Sequence, residues 1–230
     1  MAVPGDVRKS ASCEAAVKQV VDQFGRLDIL VNGAAGNFLA SAAKLSENGF
    51  KTVIEIDTLG TFNMSKAAFN QYMKKNGGSI INISALLHWN GSAFQVHSSA
   101  AKAGVDALTK VLAVEWGPYN VRVNGIVPGA IKGTEGFARL GDLGNLNNKA
   151  KTNSAASKSP QPDDLSALPL PLQRLGEVQD IANTALYLSS SAADYITGWN
   201  VVVDGGSFLT APNMVFASPK FISLWSQAKL

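Results

Sequence analysis

Ser79-Ile80-Ile81-Asn82-Ile83-Ser84 is a short run rich in β-branched side chains. Beyond it, from about Val96 to Gly117, apolar residues recur at helical spacing. Val121-Arg122-Val123-Asn124-Gly125-Ile126-Val127 is a second such run, closed by Pro128-Gly129-Ala130-Ile131-Lys132-Gly133-Thr134. Two apolar runs around a segment of helical period predict a βαβ crossover in a parallel sheet. Ser84 then stands at the carboxyl end of the first strand, and Lys102 lies inside the crossover helix. Open α/β sheets bind ligands outside those strand ends, so a hydroxyl and an ammonium are expected to converge there.

Working outward, Leu27 to Asn32 reads as another strand. It breaks into Gly33-Ala34-Ala35-Gly36-Asn37-Phe38, either ordinary punctuation or small residues that admit a flat ligand. Ahead of it, Ser12 is expected to cap a helix in which Ala16, Val17, Val20, Val21 and Phe24 repeat at three and four, with Gly25 as its stop. Met1 to Arg8 reads as the tail of a strand running into a loop. Between Leu45 and Tyr72 two helical patterns follow, the second carrying Asp57 among Phe62, Ala67 and Phe69. An aspartate in such company ordinarily caps a helix or faces solvent. Lys74-Lys75-Asn76-Gly77-Gly78 ends the pattern, with cations where the helix dipole favours them. Downstream, 142–167 is rich in Asn, Lys, Ser, Ala and Pro without a sustained period, the composition of a flexible loop. A helix over 177–189 and a strand over 199–203 complete the pattern, and Asp204-Gly205-Gly206 closes it.

The bulk properties agree with one α/β domain over residues 1–230. The chain is 46% hydrophobic and 16% charged, enough to bury a core. A net charge of +3, scattered, does not single out nucleic acid. The one cysteine, Cys13, rules out an intrachain disulfide and reads as a small helix residue. No apolar run reaches the ~20 residues of a membrane span, and the start does not read as a signal peptide. There is no internal repeat and no metal-ligand cluster in the pattern.

Taken together, Asp28 to Gly36, Ser79 to Ser84, Lys102-Ala103-Gly104, Val121 to Asn124 through Pro128-Gly129, and Ile196-Thr197-Gly198 to Asp204-Gly205-Gly206 resemble the short-chain dehydrogenase/reductase family. Ala34 to Leu39, Asp57 to Asn63, Ala113 to Pro118 and Gly133 to Gly136 resemble its peroxisomal branch that reduces dienoyl-CoA. Ala228-Lys229-Leu230 resembles the peroxisomal address tripeptide, which implies an import receptor as partner and the peroxisome as location. The resemblance implies a Rossmann-like doubly wound parallel sheet, NADPH as cofactor and an acyl-CoA substrate.

The informative departure is at position 98. Alcohol- and ketone-active members carry a tyrosine four residues before the lysine, and here that position is Ser98. An aliphatic hydroxyl is a far weaker acid than a phenol and reaches less far, so ketone chemistry is disfavoured. Dienoyl-CoA reduction needs donors toward the thioester oxygen and an acid toward a carbon. The resemblance puts Asp57, Lys102, Asp204 and Ser84 in the active site. Of the two aspartates, Asp204 is the expected proton carrier and Asp57 the organiser of water and Lys102, because an adjacent ammonium favours an ionised carboxylate. By the same resemblance Asp6 and Val7 meet the adenine, Asn32, Ala34 and Lys102 line the cofactor, and Pro128, Gly129, Ala130, Ile131, Gly133 and Thr134 close over it. Arg8, Phe38, Ser46, Asn48 and Arg139 fall at acyl-CoA contacts, and His97 is a weaker catalytic candidate.

The family opens with a strand, a glycine-rich turn and a helix that receives the pyrophosphate. This sequence starts at what resembles the third strand, so the first two strands are expected to be absent and cofactor binding to be weakened. In the order 3-2-1-4-5-6 their loss leaves Leu27–Asn32 as an apolar edge, with the Val3–Val7 segment either pairing to it or loosely placed. By the same resemblance the long helices around 57–75 and 96–117 form the subunit interface, which implies a homo-oligomer, a tetramer or dimer. Two alternatives stand beside the leading one: an ordinary ketone or alcohol dehydrogenase, and a silent subunit that associates with intact homologues.

Overall fold

The computed structural model of the chain describes residues 1–137 and 170–210. Arg139, the 142–167 segment and the Ala228-Lys229-Leu230 tripeptide lie outside the described residues. Four strands, β1 (Ile29–Asn32), β2 (Gly78–Ile83), β3 (Val121–Pro128) and β4 (Asn200–Val203), form one sheet in the order β1-β2-β3-β4. Every pairing is parallel, with Ile29 opposite Ser79, Gly78 opposite Val121, and Gly125 opposite Asn200. All four carboxyl ends therefore open on one side, and the expected crossover is present.

Alternation along the strands divides the core. Ile80 and Val123 join Leu30 in one cluster with Phe69, Leu112 and Trp116, the last two on α6 (Val96–Trp116), and with Cys13 and Val17 of α1 (Ser10–Phe24). Ile81 and Ile126 face the other way, against Leu188 of α7 (Val178–Ser189). Burying each of these aliphatic side chains contributes about 1.5–3 kcal/mol. Among the described residues no helix covers β1 on that second face, and Ile29 and Val31 are 47% and 51% exposed. Among the described residues no strand pairs with its outer side, so it is the apolar edge that the sequence leads one to expect.

Three local expectations are corrected. Residues 1–8 form no strand: Val7 is held on the helices instead, its carbonyl accepting from Asn63 Nδ2 at 2.9 Å and its side chain packing on the core. Gly60 permits this, since a Cβ there would fall 2.6 Å from Val7 Cγ2. Ser12 does not cap α1, whose N-cap is Lys9; its hydroxyl accepts the Asp6 N–H at 2.9 Å, satisfying a donor of the incoming turn.

The two helical patterns before β2 are one continuous rod. It comprises α2 (Glu47–Ile54), a π turn (Glu55–Leu59), α3 (Gly60–Ala68), a second π turn (Phe69–Met73) and α4 (Lys74–Asn76). Each π turn inserts a residue into the helical count, so the apolar stripe changes phase there and the sequence reads as a break.

Candidate active site

Asp57 lies in the first π turn, the type of helical irregularity that recurs at functional sites. The extra residue turns Asp57 inward, and it is 1% exposed. Its Oδ1 accepts the Gly36 N–H at 2.7 Å, from the loop after β1. Its Oδ2 stands 3.1 Å from Lys102 Nζ, an ion pair without hydrogen-bond alignment. Lys102 donates instead to the carbonyl of Ile83 at 2.9 Å, at the carboxyl end of β2. The strand end, the crossover helix and the π turn thus share one ammonium. Close approach of the helices makes this possible, because Gly104 on α6 faces Thr58, whose hydroxyl donates to Ala101 O at 2.9 Å.

Ser84 follows Ile83 directly and is buried; its hydroxyl donates to Oδ1 of Asp106 through a short hydrogen bond. Asp106 is a buried carboxylate that the sequence reading misses. It follows Lys102 by four residues on α6, and that spacing puts both on one helix face, the signal that points to it. Its Oδ2 meets His88 Nε2 at 2.7 Å and Trp89 Nε1 at 3.0 Å, both on the short α5 (Leu87–Asn90).

Asp204 is not joined to this group by any contact among the described residues. Its Oδ1 accepts from Gly206 N at 2.8 Å, and its Oδ2 from Phe208 N at 2.7 Å and the Ser207 hydroxyl at 3.0 Å. The carboxylate is thereby spent on heading α8 (Ser207–Thr210). Asp204 lines a cavity of about 230 Å³ with Ala130, Ile131, Val203, Arg174 and Asp180. The loop that borders it is firmly tied: Gly129 N donates to Val203 O, Ala130 O accepts from Gly176 N, and Ile131 bridges to Gly176. Pro128 ends β3, Gly133 sits at φ 72°, and the Thr134 hydroxyl donates to Ile131 O while accepting from Phe137 N.

Ser98 is buried and donates to Asn37 Oδ1 at 2.7 Å, and Asn37 Nδ2 donates to Gln95 Oε1 at 3.0 Å. His97 is fully buried, stacked on Phe38 at 4.3 Å, and neither ring nitrogen has a hydrogen-bond partner. Burial is the largest influence on its imidazole and pushes it below the ordinary value of 6.5, with the Phe38 backbone and the Asp57 charge acting the other way. Phe38 keeps 40% of its surface exposed. Ser46 caps α2 by accepting from Gly49 N at 3.1 Å, and Asn48 is exposed on the same turn. Arg8 is paired with Asp6 at 2.8 Å, and that guanidinium holds the Asp6 carboxyl at about 2.

A second cavity, of about 130 Å³, is lined by Val7, Asn32, Gly33, Ala34, Thr61 and Met64 among others. It gathers three residues expected at the cofactor: Val7, Asn32 and Ala34. The Asn32 side chain itself points away, donating to Ser65 Oγ and Asn82 Oδ1 in a buried ladder that continues to Thr109. What it leaves toward a ligand is backbone, beside Gly33, where an added Cβ would meet only Ile83 Cγ1 at 3.9 Å. Small residues, open backbone and one ammonium at the strand ends fit a dinucleotide carrying a flat ring.

The sequence pattern described as short chain dehydrogenase matches residues 1–142, and that described as enoyl-(acyl carrier protein) reductase matches 164–207. The chain is 48% identical over 225 residues to a protein of Rattus norvegicus named peroxisomal 2,4-dienoyl-CoA reductase [(3E)-enoyl-CoA-producing], covering 98% of this chain and 71% of that one. A Danio rerio protein of the same name is 49% identical over 210 residues, 91% of this chain and 65% of the relative. The chain therefore spans about two thirds of the length of such relatives. Among solved structures, a short chain dehydrogenase from Bacillus anthracis superposes with a TM-score of 0.73 at 39% identity, over 90% of this chain and 74% of that one.

Proposed function

The chain belongs to the short-chain dehydrogenase/reductase family, whose members use a nicotinamide cofactor, and on that premise we propose that it serves NADPH-dependent reduction of 2,4-dienoyl-CoA to 3-enoyl-CoA. The observation that carries the reading is the buried Asp57–Lys102 pair combined with a serine, already hydrogen-bonded to Asn37, where a ketone reductase needs a phenol. Near-half identity to dienoyl-CoA reductases supports it. Those relatives are named peroxisomal, which supports peroxisomal β-oxidation of unsaturated fatty acids as the setting. No helix among the described residues is long and apolar enough to cross a membrane.

When bound, NADPH supplies a hydride to carbon 5 of the diene. Two tasks are left to the protein. Negative charge that moves through the conjugated chain onto the thioester oxygen needs donors, and carbon 2 then needs a proton, which leaves the double bond between carbons 3 and 4. Lys102 holds the nicotinamide ribose and lends positive charge at the strand ends, with Asp57 keeping it in place. Ser84 lines the nicotinamide end, its one hydrogen donated to Asp106 Oδ1, and donation toward the thioester oxygen falls to Lys102, which has three hydrogens and spends one on Ile83 O. Asp57 Oδ2, ion-paired but not hydrogen-bonded, is the group to orient a proton-giving water toward carbon 2. Asp204 acts from the head of α8, shaping the wall beside the Pro128–Thr134 loop. Val7, Asn32 and Ala34 form the adenosine side, and Phe38 is an apolar wall for the acyl chain.

Turnover of a 2,4-dienoyl-CoA with NADPH, read at 340 nm and by product analysis, tests the reading. The expected product is 3-enoyl-CoA, with Asp57→Asn lowering kcat by about 10²-fold. Wild-type activity in that variant, or reduction of simple ketones in place of dienoyl-CoA, would sink it.

A further inference from the structure

Asp106 Oδ2 receives two donors at once, the His88 imidazole at 2.7 Å and the Trp89 indole at 3.0 Å, while Oδ1 takes the Ser84 hydroxyl. Indole nitrogen can only donate, and toward a carboxylate oxygen Nε2 is the histidine nitrogen that carries hydrogen. His88 Nδ1 is buried and has no hydrogen-bond partner. A buried polar atom left unpaired is destabilising, and the histidine is held in that state while its other nitrogen grips Asp106. Trp89 is anchored as well: its ring stands edge-on to Phe208 at 5.4 Å, in the helix that Asp204 heads.

We propose that His88 and Trp89 are positioning residues of the reduction, a two-donor clamp on Asp106. The torsion that orients an aspartate carboxylate is soft and roughly two-fold. With both donors on Oδ2 the carboxylate has one favoured orientation, and Oδ1 is kept for Ser84. The hydroxyl is held in one rotamer, its hydrogen on Asp106 and its oxygen fixed at the strand end beside the reaction site. Through Phe208 the clamp also ties the loop after β2 to the turn after β4, the two segments that flank the reaction site. Of the titratable groups on the elements packed here, Asp106 is the one in contact with the imidazole; Lys102 stands one turn earlier on α6 and Asp204 at the head of α8.

This inference rests on the functional reading above, so its test carries a readout independent of turnover. His88→Ala, His88→Gln and Trp89→Phe are compared with wild type for kcat and KM on a 2,4-dienoyl-CoA, for Tm, and for the Trp89 indole N–H resonance, assigned by its disappearance in Trp89→Phe. His88→Ala is expected to lower kcat by about ten-fold or more with the KM for NADPH within about two-fold, because positioning is lost and not cofactor binding. His88→Gln, whose amide N–H replaces Nε2, is expected to recover kcat to within about three-fold of wild type. The indole resonance is expected to shift on Asp106→Ala and on His88→Ala. A wild-type kcat in His88→Ala, no recovery in His88→Gln, or an indole resonance indifferent to Asp106→Ala overturns the clamp. Absence of any wild-type turnover overturns the dienoyl-CoA reading instead, and the resonance still decides the clamp.

Discussion

Gly104 on α6 and Thr58 in the Glu55–Leu59 π turn are in direct apposition: a Cβ on Gly104 would fall 2.7 Å from Thr58 Cγ2. The neighbouring residues, Lys102 and Asp57, form the buried ion pair. The closeness of two helical backbones therefore sets the geometry of the site, and the identity of a residue with no side chain decides it.

Gly104→Ala tests that dependence. The added methyl meets a side chain fixed by its hydrogen bond to Ala101 O and forces the helices apart. Overpacking of this kind costs about 1–3 kcal/mol, and kcat should fall by about ten-fold or more as Lys102 leaves Asp57. Thr58→Ala in the same chain makes room for the methyl. Urea unfolding and turnover of the single and double variants check this, with recovery expected in the double variant.

Lys102→Met leaves the Asp57 carboxylate, fully buried, without its cation. Removing one partner of such a pair costs about 3–5 kcal/mol. Adding Asp57→Asn removes the orphaned charge while Oδ1 still accepts from Gly36 N. The double variant should be more stable than Lys102→Met alone, as measured by denaturant midpoint, although both are inactive.

His97 predicts a pH dependence of stability. Its folded-state value lies below the ordinary 6.5 because burial disfavours the imidazolium. The unfolded chain then binds a proton that the folded chain refuses, so stability is full above about 6.5. It falls as pH drops from there toward the depressed folded value, and is flat below it. Tm measured from pH 8 to 5 should show this loss in wild type, and a smaller one in His97→Phe, which keeps a ring to stack on Phe38.

Ser98→Ala separates this site from that of a ketone reductase. The hydroxyl donates to Asn37 Oδ1, so its loss should cost about 0.5–1.5 kcal/mol in stability. If it has no acid role, kcat on dienoyl-CoA stays within about three-fold of wild type, since only one loop contact is lost. A loss of a hundred-fold would restore Ser98 to catalysis.

The places of Ser84 and Lys102 were legible because each is fixed in a βαβ unit, a strand end and the following helix, but the two take different partners, Asp106 for the hydroxyl and Ile83 O with Asp57 for the ammonium. Asp57 was legible only by resemblance. Residue by residue it reads as a capping or solvent-facing aspartate, because the π turn that aims it inward is a tertiary accommodation without a composition of its own. Asp106 went unread for the opposite reason: its helical position is plain, yet nothing local tells a buried carboxylate from one facing water. No contact among the described residues joins Asp204 to the lysine, and its carboxylate accepts from Gly206, Ser207 and Phe208, local donors that the sequence reading did not weigh.

By itself the sequence determined the strands near 27–32, 79–84, 121–127 and 199–203 and the helices between them, while its further strand near Val3–Val7 does not form. The strands and helices follow from periodicity and side-chain type, which act over a few residues and are written along the chain; the family and the exposed edge at Ile29 and Val31 were legible by resemblance. Only the tertiary structure decided that Asp57 meets Lys102, that Asp106 stands behind Ser84 with His88 and Trp89 holding it, and that Val7 rests on the helices as coil. Those outcomes depend on how closely two backbones approach and which donors compete for one carboxylate, and such distances arise only when remote segments pack.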